Sequence, residues 1–542
     1  MEQSPVKELA RVSGKLSAVL AAFFFLSCAA GARAADRGDG YVDASIGDAR
    51  TLVPIMASDT ASSGICSMLF NGLVKYDKDL TLVGDLAESW DISADGMEIV
   101  FHLRKDARWQ DGVPFSARDV EYTYQRLIDP AVRTPYGGDF ERVRSLEVVD
   151  EHTVKVTYKE PFAPALGSWG MYMMPRHILE REDLNTTQYA RRPVGLGPYL
   201  FTRWKTQDVI ELAANPDYFE HRPFIDRYIY RIIPDEATIF LELQVRGVDS
   251  SGLTPLQYSR QTDTPFFRAH YRKYRLPGFQ YTYLGYNLSS PLFSDKRVRR
   301  ALNMAVDKKE LIAMVLLGFG DVSTGPYVKQ SWAYNDRIVP AEFDPAAAKA
   351  LLAEAGWRDI NHDGWLEKDG RVFEFTVVTN QGNEERLKAC QIIQRRFADL
   401  GVRMKIKVIE WSVFLSRYID KRDFEAICMG WTVPREPDNY DIFHSSKTKE
   451  GEFNFVGYRN EEVDRLLVEA RRTFDQKKRA GLYKEIHAIL YDDQPYMFLY
   501  VPESLVIVNS RFRGIVPAPA GLSYNFIDWW VPKAEQKYRI TQ

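Results

Sequence analysis

Two tryptophans, and the polar run behind the second, carry the recognition chemistry legible in this chain. Glu410-Trp411-Ser-Val-Phe414 and Met429-Gly430-Trp431-Thr432 each present a wide flat ring, and Val433-Pro434-Arg435-Glu436-Pro437-Asp438 follows at once. An indole offers much contact area at small entropic cost and keeps an N–H for a polar partner. A guanidinium such as Arg435 can grip a carboxylate or sulfonate through two parallel hydrogen bonds, and Glu436 or Asp438 can meet an ammonium. Groups of this kind can bind a solute by stacking and charge-assisted hydrogen bonds. Core packing is the alternative for both rings, since Trp is highly buried on average, and solvent exposure is the alternative for Arg435.

The usual marks of catalysis are missing. No Gly-x-Ser-x-Gly, His-Glu-x-x-His or Walker lysine loop occurs, and the 8 histidines stand singly. Gly195-Leu-Gly197 lacks a third glycine and runs into Pro198, so it reads as a turn and not a nucleotide loop. Asp359-Ile-Asn361-His-Asp363-Gly364 opens like a calcium loop, but Gly370 stands at the twelfth position, where a bidentate Glu is needed. Asn, Asp and Gly favour a turn there without metal. No metal and no cofactor are expected. An exported hydrolase is the weakest reading, although catalytic groups need only meet in space.

The elements that must position these residues follow from periodicity. Glu98 to Arg104 alternates, with Ile99, Phe101 and Leu103 on one side, as a half-buried strand does. Ser116 and Asp119 open a helix through Val120, Tyr124 and Leu127, which Pro130 ends. A second helix runs from Ile65 to Lys75, ending near Asn71-Gly72, with Ser62 and Ser63 as its caps or as holders of a carboxylate at its start. Ser145 to Tyr158 is a hairpin, and Ile239 to Asp249 a helix. In the later half, the strand Phe373 to Val378, the helix Asn383 to Leu400 closed by Gly401, and the strand Val402 to Val408 form a βαβ unit. The basic cluster Lys296 to Arg300 reads as a solvated helix face. Alternating strands and helices argue for α/β architecture.

The chain has 542 residues, 45% of them hydrophobic, enough for two or three cored domains. Its formal net charge of −3 gives no support to nucleic-acid binding. Lys7, Arg11 and Lys15 precede an apolar run from Leu16 to Leu26, shorter than the roughly 20 residues a bilayer requires, and Ala32-Arg33-Ala34 fits the small-x-small rule for signal cleavage. Export is the expectation, with a lipid anchor on Cys28 as the second reading, because Phe25-Leu26-Ser27-Cys28 departs from a lipoprotein box at Phe25. Cys66, Cys390 and Cys428 would remain. Cys390 and Cys428 either form a disulfide or are buried thiols.

Leu86-Ala87-Glu88-Ser89-Trp90, Leu103-Arg104, Trp109-Gln-Asp111-Gly112 and Ala117-Arg-Asp119-Val120 resemble the signature of the family 5 extracytoplasmic solute-binding proteins. The resemblance implies an α/β, two-lobed periplasmic binding protein of class II type, with an extra subdomain in the first lobe and two crossings of the hinge. Its expected parts are a signal peptide at 1–34, a first lobe at 35–278 with an inserted subdomain at about 80–190, a second lobe at 279–505, and a return to the first lobe at 506–542. The implied activity is that of a monomeric receptor that hands a small solute, most readily a peptide, to the permease of an ABC importer. Metal chelates, oligosaccharides or a sensory role are the alternatives on the same fold.

The same resemblance marks Tyr136, in Asp129-Pro130-Ala-Val-Arg133-Thr-Pro135-Tyr136, as a residue that reaches the ligand. It marks Tyr286 and Asn287 on the strand entering the second lobe, and Trp411, Trp431 and Thr432 as pocket walls. Peptide-binding members often hold the ligand's α-ammonium with an Asp three residues after the second Trp. Here Pro434 stands in that place, so Glu436 or Asp438 would have to supply the carboxylate, or Arg435 would turn the preference toward an anion.

Overall fold

A computed structural model describes residues 35–538; the signal region and Cys28 lie outside the described residues. The chain folds into two α/β lobes. The first is built on a four-stranded sheet in which Gly40–Ser45 pairs in parallel with Arg227–Ile232, followed by Val209–Ala214 and Tyr199–Lys205. Between the first of these strands and the last, a second four-stranded sheet is inserted, ordered Ala87–Ile92, Glu98–Leu103, Thr153–Tyr158, Val143–Asp150. Its alternation is that of the sequence, for Ile99, Phe101 and Leu103 are buried and face Val154 and Val156 in one continuous core with the four-stranded sheet of the first lobe.

Local chemistry sets the helix starts. Ser116 and Asp119 form a reciprocal capping box at the head of Ala117–Leu127. The early helix spans Thr60–Leu69, and its cap is Asp59, which accepts the Ser62 N–H at 2.9 Å. Ser62 is therefore an internal residue of the first turn, its hydroxyl donating to the other Asp59 oxygen at 2.6 Å. A carboxylate at the positive helix end is a better cap than the hydroxyls that follow it.

The second lobe is organised on a six-stranded sheet ordered Gly320–Val322, Tyr496–Pro502, Gln280–Tyr286, Ala426–Thr432, Glu374–Asn380, Arg403–Ile409. The βαβ unit is present: Glu374–Asn380 and Arg403–Ile409 are parallel neighbours joined by the helix Glu384–Asp399, which Asn383 caps and Gly401, at φ 85°, ends. Each face of the sheet carries its own core, one around Leu284, Cys390, Phe397 and Cys428, the other around Tyr281, Tyr283, Phe455 and Tyr496.

The chain crosses between lobes twice. Tyr271–Leu276 belongs to a three-stranded sheet of the first lobe, and Gln280–Tyr286 to the second-lobe sheet, so the first crossing is 277–279. The return falls at Glu503, between Tyr496–Pro502 and Ser504–Asn509, a few residues before Val506. Arg275 bonds Glu503 at 2.8 Å and ties the two crossings together.

Candidate functional site

The strand Ala426–Thr432 sets the site. On one side it pairs with Gln280–Tyr286 along its whole length; on the other, Glu374–Asn380 accompanies it only from Ala426 to Cys428. The Val433 N–H reaches the Phe279 carbonyl, and the Cys428 carbonyl accepts from Thr379 Oγ1 on the opposite side. Strand alternation then directs the N–H and C=O of Gly430 and Thr432 away from the first neighbour, toward an edge with no strand partner among the described residues. A sheet edge left open inside a protein is a template for another extended chain.

The rings beside this edge come from both lobes. Trp431 stacks on Phe455, with centroids 5.8 Å apart, and meets Phe453 edge-on at 5.2 Å. Phe453 in turn meets Tyr136 of the first lobe at 5.7 Å, and the Tyr136 hydroxyl donates to the Ala57 carbonyl at 2.9 Å. Burial holds the Tyr136 phenol well above its ordinary pKa, so it stays a neutral donor. Trp411 lies against Gly47 of the first lobe, where an added Cβ would come within 2.7 Å of the indole. Phe453, which nothing in the local sequence singles out, is the link between the predicted Tyr136 and Trp431.

A guanidinium lies above the open edge. The Arg386 Nη1 donates to Asn380 Oδ1 at 2.8 Å, and Nη2 stands 2.9 Å from where a Cβ on Gly430 would be. Gly430 thus leaves room for the guanidinium, which a Cβ there would push aside. Arg386 sits in the first turn of its helix, where a cation opposes the helix dipole. That local conflict is a signal for function that periodicity does not register.

The lobes are clasped around this region. Arg50 pairs with Asp420 at 2.5 Å, Gln207 reaches Glu410 at 3.3 Å, and Phe474 occupies the space over Gly96. Arg471 of the second lobe bonds Asp139 of the first at 2.8 Å, and its carbonyl accepts the Ala163 N–H at 2.6 Å. Near the hinge, Glu236 accepts the Glu384 N–H at 3.2 Å.

Four of the expected ligand residues are placed otherwise. Tyr286 is fully buried, its ring 4.7 Å from Phe293, at the far end of its strand and about 17 Å from the cleft end at Tyr281. Asn287 closes that far end by donating to the Phe424 carbonyl at 2.9 Å. Asp438 is engaged by Arg471 at 2.7 Å, and Glu436 by Arg479 at 2.9 Å. Burial raises the Glu436 carboxyl to about 7 despite Arg479. Trp411, Trp431, Thr432, Arg435 and Tyr136 gather at the interface of the lobes. Cys390 and Cys428 are buried neighbours and both are free thiols, as is Cys66. The loop at Asp359 is a turn in which Asp359 accepts the Gly364 N–H at 3.1 Å.

The family model for bacterial extracellular solute-binding proteins, family 5, matches residues 81–454. The oligopeptide-binding protein AppA of Bacillus subtilis is 34% identical over 540 residues, which cover 96% of this chain and 98% of AppA. Heme-binding protein A of Haemophilus influenzae is 29% identical, over 86% of this chain and 88% of its own. The structure of AppA in complex with a nonapeptide superposes with a TM-score of 0.88 at 32% identity, over 92% of this chain and 100% of that one. NikZ of Campylobacter jejuni with Ni(L-His) superposes with a TM-score of 0.82 at 28% identity, over 91% and 99%. With its two clasped lobes and open inner strand, the chain belongs to the family 5 bacterial extracellular solute-binding proteins.

Proposed function

We propose that this chain is the solute receptor of an ABC importer and that its solute is an extended peptide, laid along the open edge at Gly430 and Thr432 and enclosed as the lobes close. The observation that carries the reading is that edge, flanked by Trp431 and facing the other lobe. Adding a strand to a sheet edge gives affinity through main-chain hydrogen bonds, which every peptide can make, while side-chain pockets set selectivity. The likeness to AppA, named as oligopeptide-binding and solved with a nonapeptide, supports it. Closure couples binding to the form that a permease would receive, because a solute that touches both lobes favours their closed arrangement. Residues 1–34 would be a signal removed on export, and the receptor would act outside the cytoplasmic membrane as a monomer.

The test is thermal stabilisation of the purified, ligand-stripped mature chain by di-, tri- and pentapeptides, with nickel chelates and oligosaccharides alongside. A peptide at a hundredfold its dissociation constant adds about 2.7 kcal/mol. Stabilisation by chelates or sugars alone would overturn the peptide assignment.

A further inference from the structure

The loop behind Trp431 carries three charges, and two of them are already neutralised. Asp438 belongs to Arg471 and Glu436 to Arg479. Arg435 has no ion pair among the described residues. Its guanidinium carbon sits over the Phe279 ring, 3.7 Å from the centroid, and its buried Nη1 has no hydrogen-bond partner. Stacking through the face leaves the N–H edge of a guanidinium available for bidentate bonding in its own plane.

A cavity of about 240 Å³ opens beside it at the hinge. The second lobe contributes Arg435, Phe279, Gln280 and Thr432, and the first contributes Ser504 and the loop at Pro519. Its polar side chains are donors or amphoteric, and no carboxylate lines it. Thr432 belongs both to its wall and to the open strand edge. An ammonium here would face Arg435 with no counter-charge, whereas an anion would pair a cation that is otherwise half-buried and unpaired, a costly state.

Resting on the peptide reading above, we infer that this hinge pocket receives a terminal carboxylate of the bound solute, held by Arg435 and the Thr432 hydroxyl. Both lobes line the pocket, so the same group that confers selectivity also favours closure.

The experiment is calorimetric titration of the stripped mature protein with four peptides of one sequence: N-acetylated or N-succinylated, each as C-terminal acid or amide. A carboxylate at one terminus should tighten binding at least about tenfold, the scale of one charge-assisted hydrogen-bonded pair. R435Q should bring the affinity ratio between carboxylate-bearing and carboxylate-free peptides to about one, R435K should restore part of that ratio, and T432V should reduce it. R435K and T432V keep the cation, and they carry the comparison if R435Q does not fold. Equal affinity of wild type for all four peptides overturns the pocket assignment and leaves the peptide reading standing. If none binds, glutarate alone decides the pocket. Arg435-dependent stabilisation by glutarate keeps the pocket, no stabilisation overturns it, and the peptide reading is decided by the di-, tri- and pentapeptides above.

Discussion

Arg471 of the second lobe donates to Asp139 of the first at 2.8 Å and to Asp438 of its own lobe at 2.7 Å. Only 4% of its side chain is exposed. Burial opposes its charge, but Asp438, Asp139 and Asp441 together outweigh that cost and raise the guanidinium above its ordinary pKa. The bridge exists only when the lobes meet, so it acts as a clasp. Truncating one member of a buried bridge costs about 3–5 kcal/mol, because the partners are left charged and unpaired. R471A should lower the melting temperature. D139N, which spares the Arg471–Asp438 pair, should chiefly open the lobes, seen as a larger radius of gyration by small-angle scattering without solute. An unchanged radius in D139N would show that the clasp does not hold the lobes.

Closure should depend on pH through Glu236 and Glu385. Burial raises both carboxyls, Glu236 to about 7 and Glu385 to about 8, with the Glu384 charge adding at Glu236, the Glu236 charge adding at Glu385, and Arg386 opposing at both. They face each other across the lobes. A carboxyl whose pKa is raised in the closed form binds its proton more tightly there, so closure gains as pH falls through 8 and 7. The gain is complete below the ordinary glutamate range. Solute affinity should therefore be higher at pH 6 than at pH 8.5, and an E236Q/E385Q double variant should flatten the profile. A profile that keeps its slope in the double variant would assign the effect elsewhere.

A side chain at Gly430 should displace the Arg386 guanidinium. A Cβ there would stand 2.9 Å from Arg386 Nη2 and 3.1 Å from the Tyr281 carbonyl. G430A should cost about 1–3 kcal/mol of stability, the usual scale of overpacking. Removing the guanidinium as well, in G430A/R386A, should recover part of that loss. Full additivity of the two changes would mean that Arg386 is not what fills the space.

Alkylation of purified residues 35–542 in denaturant, without reductant, should modify Cys66, Cys390 and Cys428 alike. Two fewer labels would mean that Cys390 and Cys428 had formed a disulfide.

What the sequence made legible was local. Ile99, Phe101 and Leu103 announced their strand, Ser116 and Asp119 their capping box, and Asn383 to Gly401 a helix between parallel strands, because each is fixed by neighbours within a few positions. The early helix misled at Ser62 because Asp59, just upstream, caps more strongly. The resemblance marked Tyr286 because it lies on the strand that enters the second lobe, and a strand's letters do not say which end meets the cleft and which is buried. Asp438 looked available because Arg471, 33 residues on, and Asp139, 332 residues from Arg471, enter its surroundings only in the folded chain. Arg386 carried a signal, a cation in a helix's first turn, that a search for hydrophobic period passes over.

Amide hydrogen exchange at Gly430 and Thr432, with and without a saturating peptide, tests the central claim most directly. If the solute adds a strand to the open edge, these amides slow sharply on binding, while those of Met429 and Trp431, already paired with Gln280–Tyr286, change little. If a peptide stabilises the protein and the Gly430 and Thr432 amides exchange as fast as before, the solute lies elsewhere in the cleft and the edge is not its template.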